Sequence, residues 1–235
     1  MKKTKHTTLA AIALLTALAA SAQASNITVG DPVAGGINYG YSISMGGTDS
    51  AVISNHVGAW SWNNNTAGTP ATPIQPPVGW THTSTWVSLT VTEPVVLTLT
   101  MERKEGVPWP DPVNDPTRVA STTSMFPSFT IWTGLDNVTT TLDHTYNSIG
   151  NISWSSQLTY VDHYENTTLT SIERTWTLAP GQYTFALGSA AVANTSNRQG
   201  YEATFTTTAV PEPSTIALIA GGLGTLALIR RRKSA

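Results

Sequence analysis

Between Val95 and Glu102 the chain alternates. Val95, Leu97, Leu99 and Met101 fall on one face, and Thr98, Thr100 and Glu102 on the other. Successive side chains of an extended strand point to opposite sides, so this period of two predicts a half-buried strand. The same pattern sets Val87, Leu89 and Val91 on one face of 86–91, and Ile172, Arg174, Trp176 and Leu178 on one face of 172–178. It also groups Tyr183, Phe185 and Leu187, and further along Tyr201, Ala203 and Phe205. Ala179-Pro180-Gly181 separates two of these runs as a turn. Strands are also expected at 37–45, 51–62, 128–133 and 152–160, where Trp60 and Trp62 would share a face. No run from Asn26 to Ala209 has a helical period. Many short strands punctuated by Gly, Pro and Asn predict an all-β chain: a single β-sandwich, jelly-roll-like, over 25–209. Two Pro- and Asn-rich loops, 63–77 and 106–117, interrupt it.

Both flanks of that body read as addressing segments. Lys2, Lys3 and Lys5 precede an uncharged apolar run, 9–20, and Ala22-Gln23-Ala24 supplies the small-residue pattern that signal peptidase reads. Residues 1–24 are therefore expected to be a signal peptide cut after Ala24. An N-terminal membrane anchor is the poorer reading, because the apolar run is short for a span. At the other flank stand Val210, Pro211, Glu212, Pro213 and Ser214, then the uncharged run 216–229, then Arg230, Arg231, Arg232 and Lys233. As a helix that run covers about 21 Å, less than the roughly 30 Å of a bilayer's hydrocarbon core. It is a marginal transmembrane helix, with the basic cluster expected to stop in the cytoplasm.

Pro-Glu-Pro, a Gly-containing apolar segment and an Arg cluster, in that order over 210–235, resemble the PEP-CTERM sorting signal of exosortase substrates. The resemblance implies a Gram-negative bacterial host and cutting near the Pro-Glu-Pro by an exosortase-type protease. It also implies transient anchoring in the inner membrane, followed by delivery to the cell envelope or beyond, often alongside exopolysaccharide. The alternative is a plain single-span anchor behind a Pro-rich linker. The body carries no comparable signature, although 178–185 is similar to the closing hairpin of sugar-binding and pre-peptidase jelly rolls.

Composition narrows the function. Charged residues are 11% of the chain, well below the roughly 25% of an average soluble domain. With the two flanks set aside, five basic and thirteen acidic residues remain, a net charge of about −8. An acidic body is not expected to bind nucleic acid through its phosphates. With no cysteine, disulfides, thiolate metal sites and cysteine nucleophiles are excluded.

The body offers three candidate chemistries. Asp143-His144 and Asp162-His163 recur in similar settings, so His144 and His163 are candidate copper or zinc ligands if their segments lie side by side. Neighbours on a strand face apart, however, so neither Asp is placed to orient its own His. Asp111, Asn114 and Asp115 bring hard oxygen donors to a Pro-rich loop, which suits Ca²⁺; the plainer reading is turn chemistry. Among eight tryptophans, Trp80 and Trp109 lie beside loop prolines and glycines and are candidates for stacking on sugar rings. The nucleophile-elbow, zincin and phosphate-loop patterns are missing. The expectation is a non-enzymatic, exported surface protein that associates with exopolysaccharide. An extracellular binder of Ca²⁺, copper or carbohydrate is the alternative, and a glycoside-active enzyme a third reading that needs two carboxylates facing one groove.

Overall fold

The computed structural model describes residues 26–30, 35–58, 60–63, 77–109, 115–121, 125–139, 145–190 and 198–210. Within them the chain is all-β, with no helix. The expected signal peptide and C-terminal transmembrane helix lie outside the described residues.

Twelve strands form: β1 (Asn26–Val29), β2 (Tyr41–Met45), β3 (Asp49–Val57), β4 (Val78–Trp80), β5 (Thr85–Val91), β6 (Val95–Arg103), β7 (Pro127–Thr133), β8 (Thr145–Asn147), β9 (Thr159–Tyr164), β10 (Ser171–Leu178), β11 (Gly181–Ser189) and β12 (Gln199–Ala209). They make a six-stranded sheet, β1-β2-β5-β11-β7-β9, a four-stranded sheet, β10-β6-β12-β3, and the small pair β4-β8. All pairings are antiparallel except β2 with β5, so the larger sheet is mixed.

The alternating runs explain how the two large sheets pack. Val95, Leu97, Leu99 and Met101 of β6 are buried together with Tyr201, Ala203 and Phe205 of β12. Across from them lie Val87, Leu89 and Val91 of β5, Phe129 and Ile131 of β7, and Phe185 and Leu187 of β11. Phe185 meets Phe205 edge-to-face across this interface, 5.3 Å between centroids and 86° between planes, a favoured aromatic geometry. The other face of the four-stranded sheet carries threonines to solvent. Thr98 and Thr175 share a hydroxyl hydrogen bond of 2.9 Å there.

The six-stranded sheet is buried on its second face as well. Ile37, Tyr39, Trp86, Trp132, Tyr146, Ile152, Leu158 and Ala186 form a separate core there. Trp86 and Trp132 stack at 5.8 Å and 27°, and Tyr146 lies edge-on to both. The β4-β8 pair and the segments around 35–40 and 148–158 supply this cover. Gly79 of β4 is needed for it, because a Cβ there would run into the Tyr146 ring.

Three expectations are corrected in detail. The strand expected over 51–62 ends at Val57, and Trp60 stands in a turn with φ of 59° while Trp62 is fully buried. The strand expected over 152–160 is mostly turn, with β9 starting only at Thr159. There Ile152 and Trp154 turn inward against the second core instead of following the sheet. The strand expected over 37–45 is shortened to β2, because Ile37 and Tyr39 are drawn into that same core.

Candidate functional site

Two places in the fold bear on function: the junction with the C-terminal tail, and a polar cleft at one end of the sandwich.

At the junction, β12 runs between β6 and β3 in the four-stranded sheet. Its last residue, Ala209, pairs with Val95, and the Val210 amide donates to the Pro94 carbonyl at 3.1 Å. Val210 is thus the last described residue tied to the sheet, immediately before Pro211 in the sequence. Pro211 and Pro213, which follow in the sequence, have no N–H to donate to a ladder.

The cleft has a volume of about 310 Å³. Asn55 and His56 at the end of β3, Thr81 to Ser84 before β5, and Arg198 just before β12 line it. Beside it the excursion from β6 to β7 folds back on itself. Pro108 and Val119 form a β-bridge, and the Trp109 amide donates to the Arg118 carbonyl at 2.8 Å. That short pairing sets the Arg118 guanidinium over the Trp109 ring, 3.6 Å from its centroid. The Arg198 guanidinium lies 5.7 Å from the same centroid, and the His56 ring is also 5.7 Å away, tilted by 51°. Gly58 allows this approach, since a Cβ there would stand 2.8 Å from Thr83 and 3.0 Å from an Arg198 nitrogen.

The electrostatics are those of a cationic spot on an acidic body. Burial, and then the charge of Arg198, lower the His56 pKa from its usual 6.5 to about 4, so the imidazole is neutral at physiological pH. Its Nδ1 is buried without a hydrogen-bond partner among the described residues. Burial first, and the charge of Arg118 second, press the Arg198 guanidinium below its ordinary value. Elsewhere Lys104 pairs with Glu202, and Arg174 with Asp162 at 3.0 Å. Arg103 donates to the Met125 carbonyl and lies over Phe126. Among the described residues neither Arg118 nor Arg198 has a carboxylate partner.

The residues singled out in the sequence fall in several places. Trp109 borders the cleft, with one face of its indole covered by Arg118. Trp80 packs instead on Trp60, with ring centroids 5.5 Å apart. His163 lies in β9, stacked on the buried Trp62 at 6.0 Å, and its Nδ1 is 2.6 Å from the Tyr160 hydroxyl. Asp162 points the other way, accepting from Arg174 at 3.0 Å and Trp176 at 2.9 Å. Burial opposes its ionisation, but those donors and the charge of Arg174 hold its pKa below the ordinary value. Asp115 accepts from the amide and hydroxyl of Thr117, two residues on, as a turn residue does. His144, Asp111 and Asn114 lie outside the described residues, as do Ala22, Ala24, Pro211 to Ser214, Arg230, Arg231, Arg232 and Lys233. Among the described residues no three His, Asp or Glu side chains converge as a metal site. Sequence reasoning missed His56, Arg118 and Arg198. No motif joins residues so far apart, and the one available clue was how few cations the body contains.

Comparison with known proteins decides the tail. Residues 209–233 match the PEP-CTERM protein-sorting motif. The PEP-CTERM tail thus begins where β12 ends, and it marks an exported protein that is sorted at the cell surface. No curated protein matches the chain. Among solved structures, one similar to this chain is CorA of Methylomicrobium album BG8, described as a surface-associated copper-binding protein important in copper acquisition. It is 14% identical, with a TM-score of 0.45, over 70% of this chain and 98% of that one. Another is the secreted protein MopE of Methylococcus capsulatus, in which an oxidized tryptophan facilitates copper binding. It is 16% identical, with a TM-score of 0.37, over 68% of this chain and 84% of that one.

Proposed function

We propose that this protein is a non-catalytic component of the cell envelope or extracellular matrix, released from a transient inner-membrane anchor by cutting at the Pro-Glu-Pro and associated with surface polysaccharide. The observation that carries this reading is the junction: the last described bond to the sheet is that of Val210, and the sorting motif spans 209–233. A cut at or beyond Pro211 breaks no described hydrogen bond of the sandwich, so the domain would leave the membrane intact. The outer face of the four-stranded sheet carries a band of threonine hydroxyls, Thr98, Thr100 and Thr175 among them, and hydroxyls that both donate and accept suit a hydrated polysaccharide layer.

The test is fractionation of host cells with and without exosortase. The expected outcome is a shortened, tail-free protein in the outer or extracellular fraction of the parent strain, and full-length protein in the inner membrane of the mutant. Uncut protein in the inner membrane of both strains would sink the proposal.

Copper binding is the weaker reading. The described residues offer no converging ligand set, and the two histidines of the cleft share it with Arg198, with Arg118 close by, whose charges oppose a bound cation.

A further inference from the structure

The geometry points to the cleft beside Trp109 as a binding site for an acidic sugar, a polyhydroxylated ring bearing an anionic group that Arg118 and Arg198 would hold. This rests on the reading of the protein as a polysaccharide-associated surface component and names the chemistry it would recognise.

Charge placement is the first argument. The mature body is strongly acidic, with thirteen acidic residues against five basic ones. Two of those five are nevertheless gathered on one tryptophan, 3.6 and 5.7 Å from its ring. Like charges brought together repel, and Arg118 adds to the burial that already presses the Arg198 guanidinium below its ordinary value. A bound anion removes the repulsion and gains charge-assisted hydrogen bonds, which are about twice as strong as neutral ones.

Presentation is the second argument. A guanidinium laid on an indole keeps its edge free, and that edge matches the two oxygens of a carboxylate or phosphate. The stack also restrains the side chain before binding, so less entropy is lost on capture.

The rest of the cleft argues for a sugar over a bare ion. A volume of about 310 Å³ far exceeds the space one small oxyanion fills. Its wall carries the amides of Asn38 and Asn55 and the hydroxyls of Thr81 and Thr83, groups that both donate to and accept from ring hydroxyls. Neutral His56 adds a buried ring nitrogen, Nδ1, that is unpaired among the described residues. The enclosure is partial and open on one side, so a residue within a longer chain can enter.

The experiment uses the full chain solubilised in detergent. Glucuronate, a tetra-uronate, glucose 6-phosphate, glucose and inorganic phosphate are titrated by calorimetry, with tryptophan fluorescence alongside. The acidic sugars are expected to bind at least tenfold more tightly than glucose or inorganic phosphate, and to weaken as salt is raised from 0.05 to 0.5 M. Whichever of the uronate and the sugar phosphate binds tighter identifies the anionic group. R118Q and R198Q should each cost about ten- to a hundredfold in affinity, the worth of charge-assisted hydrogen bonds lost. R118K keeps the charge but loses the fork, and should fall between R118Q and the parent. Near-ultraviolet circular dichroism establishes that each variant is folded. The inference is overturned if no acidic sugar binds the folded parent, if glucose binds as well, or if folded R118Q and R198Q bind unchanged. Tight binding of inorganic phosphate alone would reduce the cleft to a plain anion site and also overturn it. Failure here leaves the fractionation result standing, and failure of fractionation leaves a measured sugar affinity standing, so the two readings fall separately.

Discussion

The two large sheets share one core but treat their outer faces in opposite ways. On β6, Thr98 and Thr100 face out, and their hydroxyls bond to side chains of the neighbouring strand, Thr175 and Glu173. On β7, Ser128 and Thr130 occupy equivalent alternate positions yet are fully buried. The Thr130 hydroxyl donates to the Ser148 carbonyl at 2.5 Å and accepts from Trp62 Nε1 at 3.0 Å. Ser148 in turn donates to the Trp62 carbonyl at 2.5 Å, and the Tyr146 hydroxyl donates to the Ser61 carbonyl at 2.6 Å. Thr184 of β11 donates to the Gly134 carbonyl at 2.8 Å and shares a 3.0 Å hydrogen bond with Tyr39. The same residue types thus serve water on one sheet and a tryptophan-lined interior on the other. A threonine in a strand does not say which face it is on; what covers it decides.

This contrast can be broken most strongly at the covering layer. Trp132→Ala removes a fully buried indole from the second core and is expected to cost about 3–5 kcal/mol, read by denaturant unfolding. A loss under about 1 kcal/mol would mean that the outer layer is not packed as described. Thr130→Val preserves shape but strands Trp62 Nε1 and the Ser148 carbonyl, so about 1–3 kcal/mol should be lost.

Acid should weaken the covered face through Asp136, which is fully buried beside Tyr39. Burial opposes its ionisation, but hydrogen bonds from the Thr139 hydroxyl and from the amides of Thr139 and Val138 outweigh it and hold its pKa below the ordinary value. A depressed folded-state pKa contributes stability above the unfolded value, and that contribution is lost as pH falls through the folded one. Melting temperature should therefore drop as pH is lowered below about 4, the unfolded value, and Asp136→Asn should flatten this limb. His56 acts in a higher window. With its pKa at about 4 in the fold and near 6.5 unfolded, its burial costs stability progressively as pH falls from 6.5 to 4. His56→Gln should remove that slope, and an unchanged slope would place its origin elsewhere. The smallest effect belongs to the open face. Thr98→Ala should change stability by no more than about 0.5 kcal/mol, because its 2.9 Å partner Thr175 is exposed and water replaces the bond.

Much of the sandwich was legible in the chain. The alternation on β6, β12 and the inner face of β5 placed Leu97, Phe205 and Leu89 correctly in one core, because a two-sided environment imposes a two-residue period. The second core was not legible. Trp86, Trp132 and Tyr146 come from three strands and make sense only once β4 and β8 lie over the large sheet. For the same reason Trp60 and Trp62, two apart in sequence, do not share a face: the chain leaves β3 after Val57, and Trp60 adopts a left-handed conformation. The strands β1, β4 and β8, of three or four residues each, are too short to show a period.

The sequence by itself determined the sorting tail and the sheet-forming character of the body, since both are read locally. A translocation or processing machinery meets the Pro-Glu-Pro segment as a linear string, and a strand's alternation is set by its own backbone geometry. Only the tertiary structure decided which threonines are interior, and it alone gathered His56 and Arg198 of the cleft against Trp109 and Arg118 beside it. Electrostatics and hydrogen bonding act across space, and the residues that meet there are up to 142 positions apart along the chain.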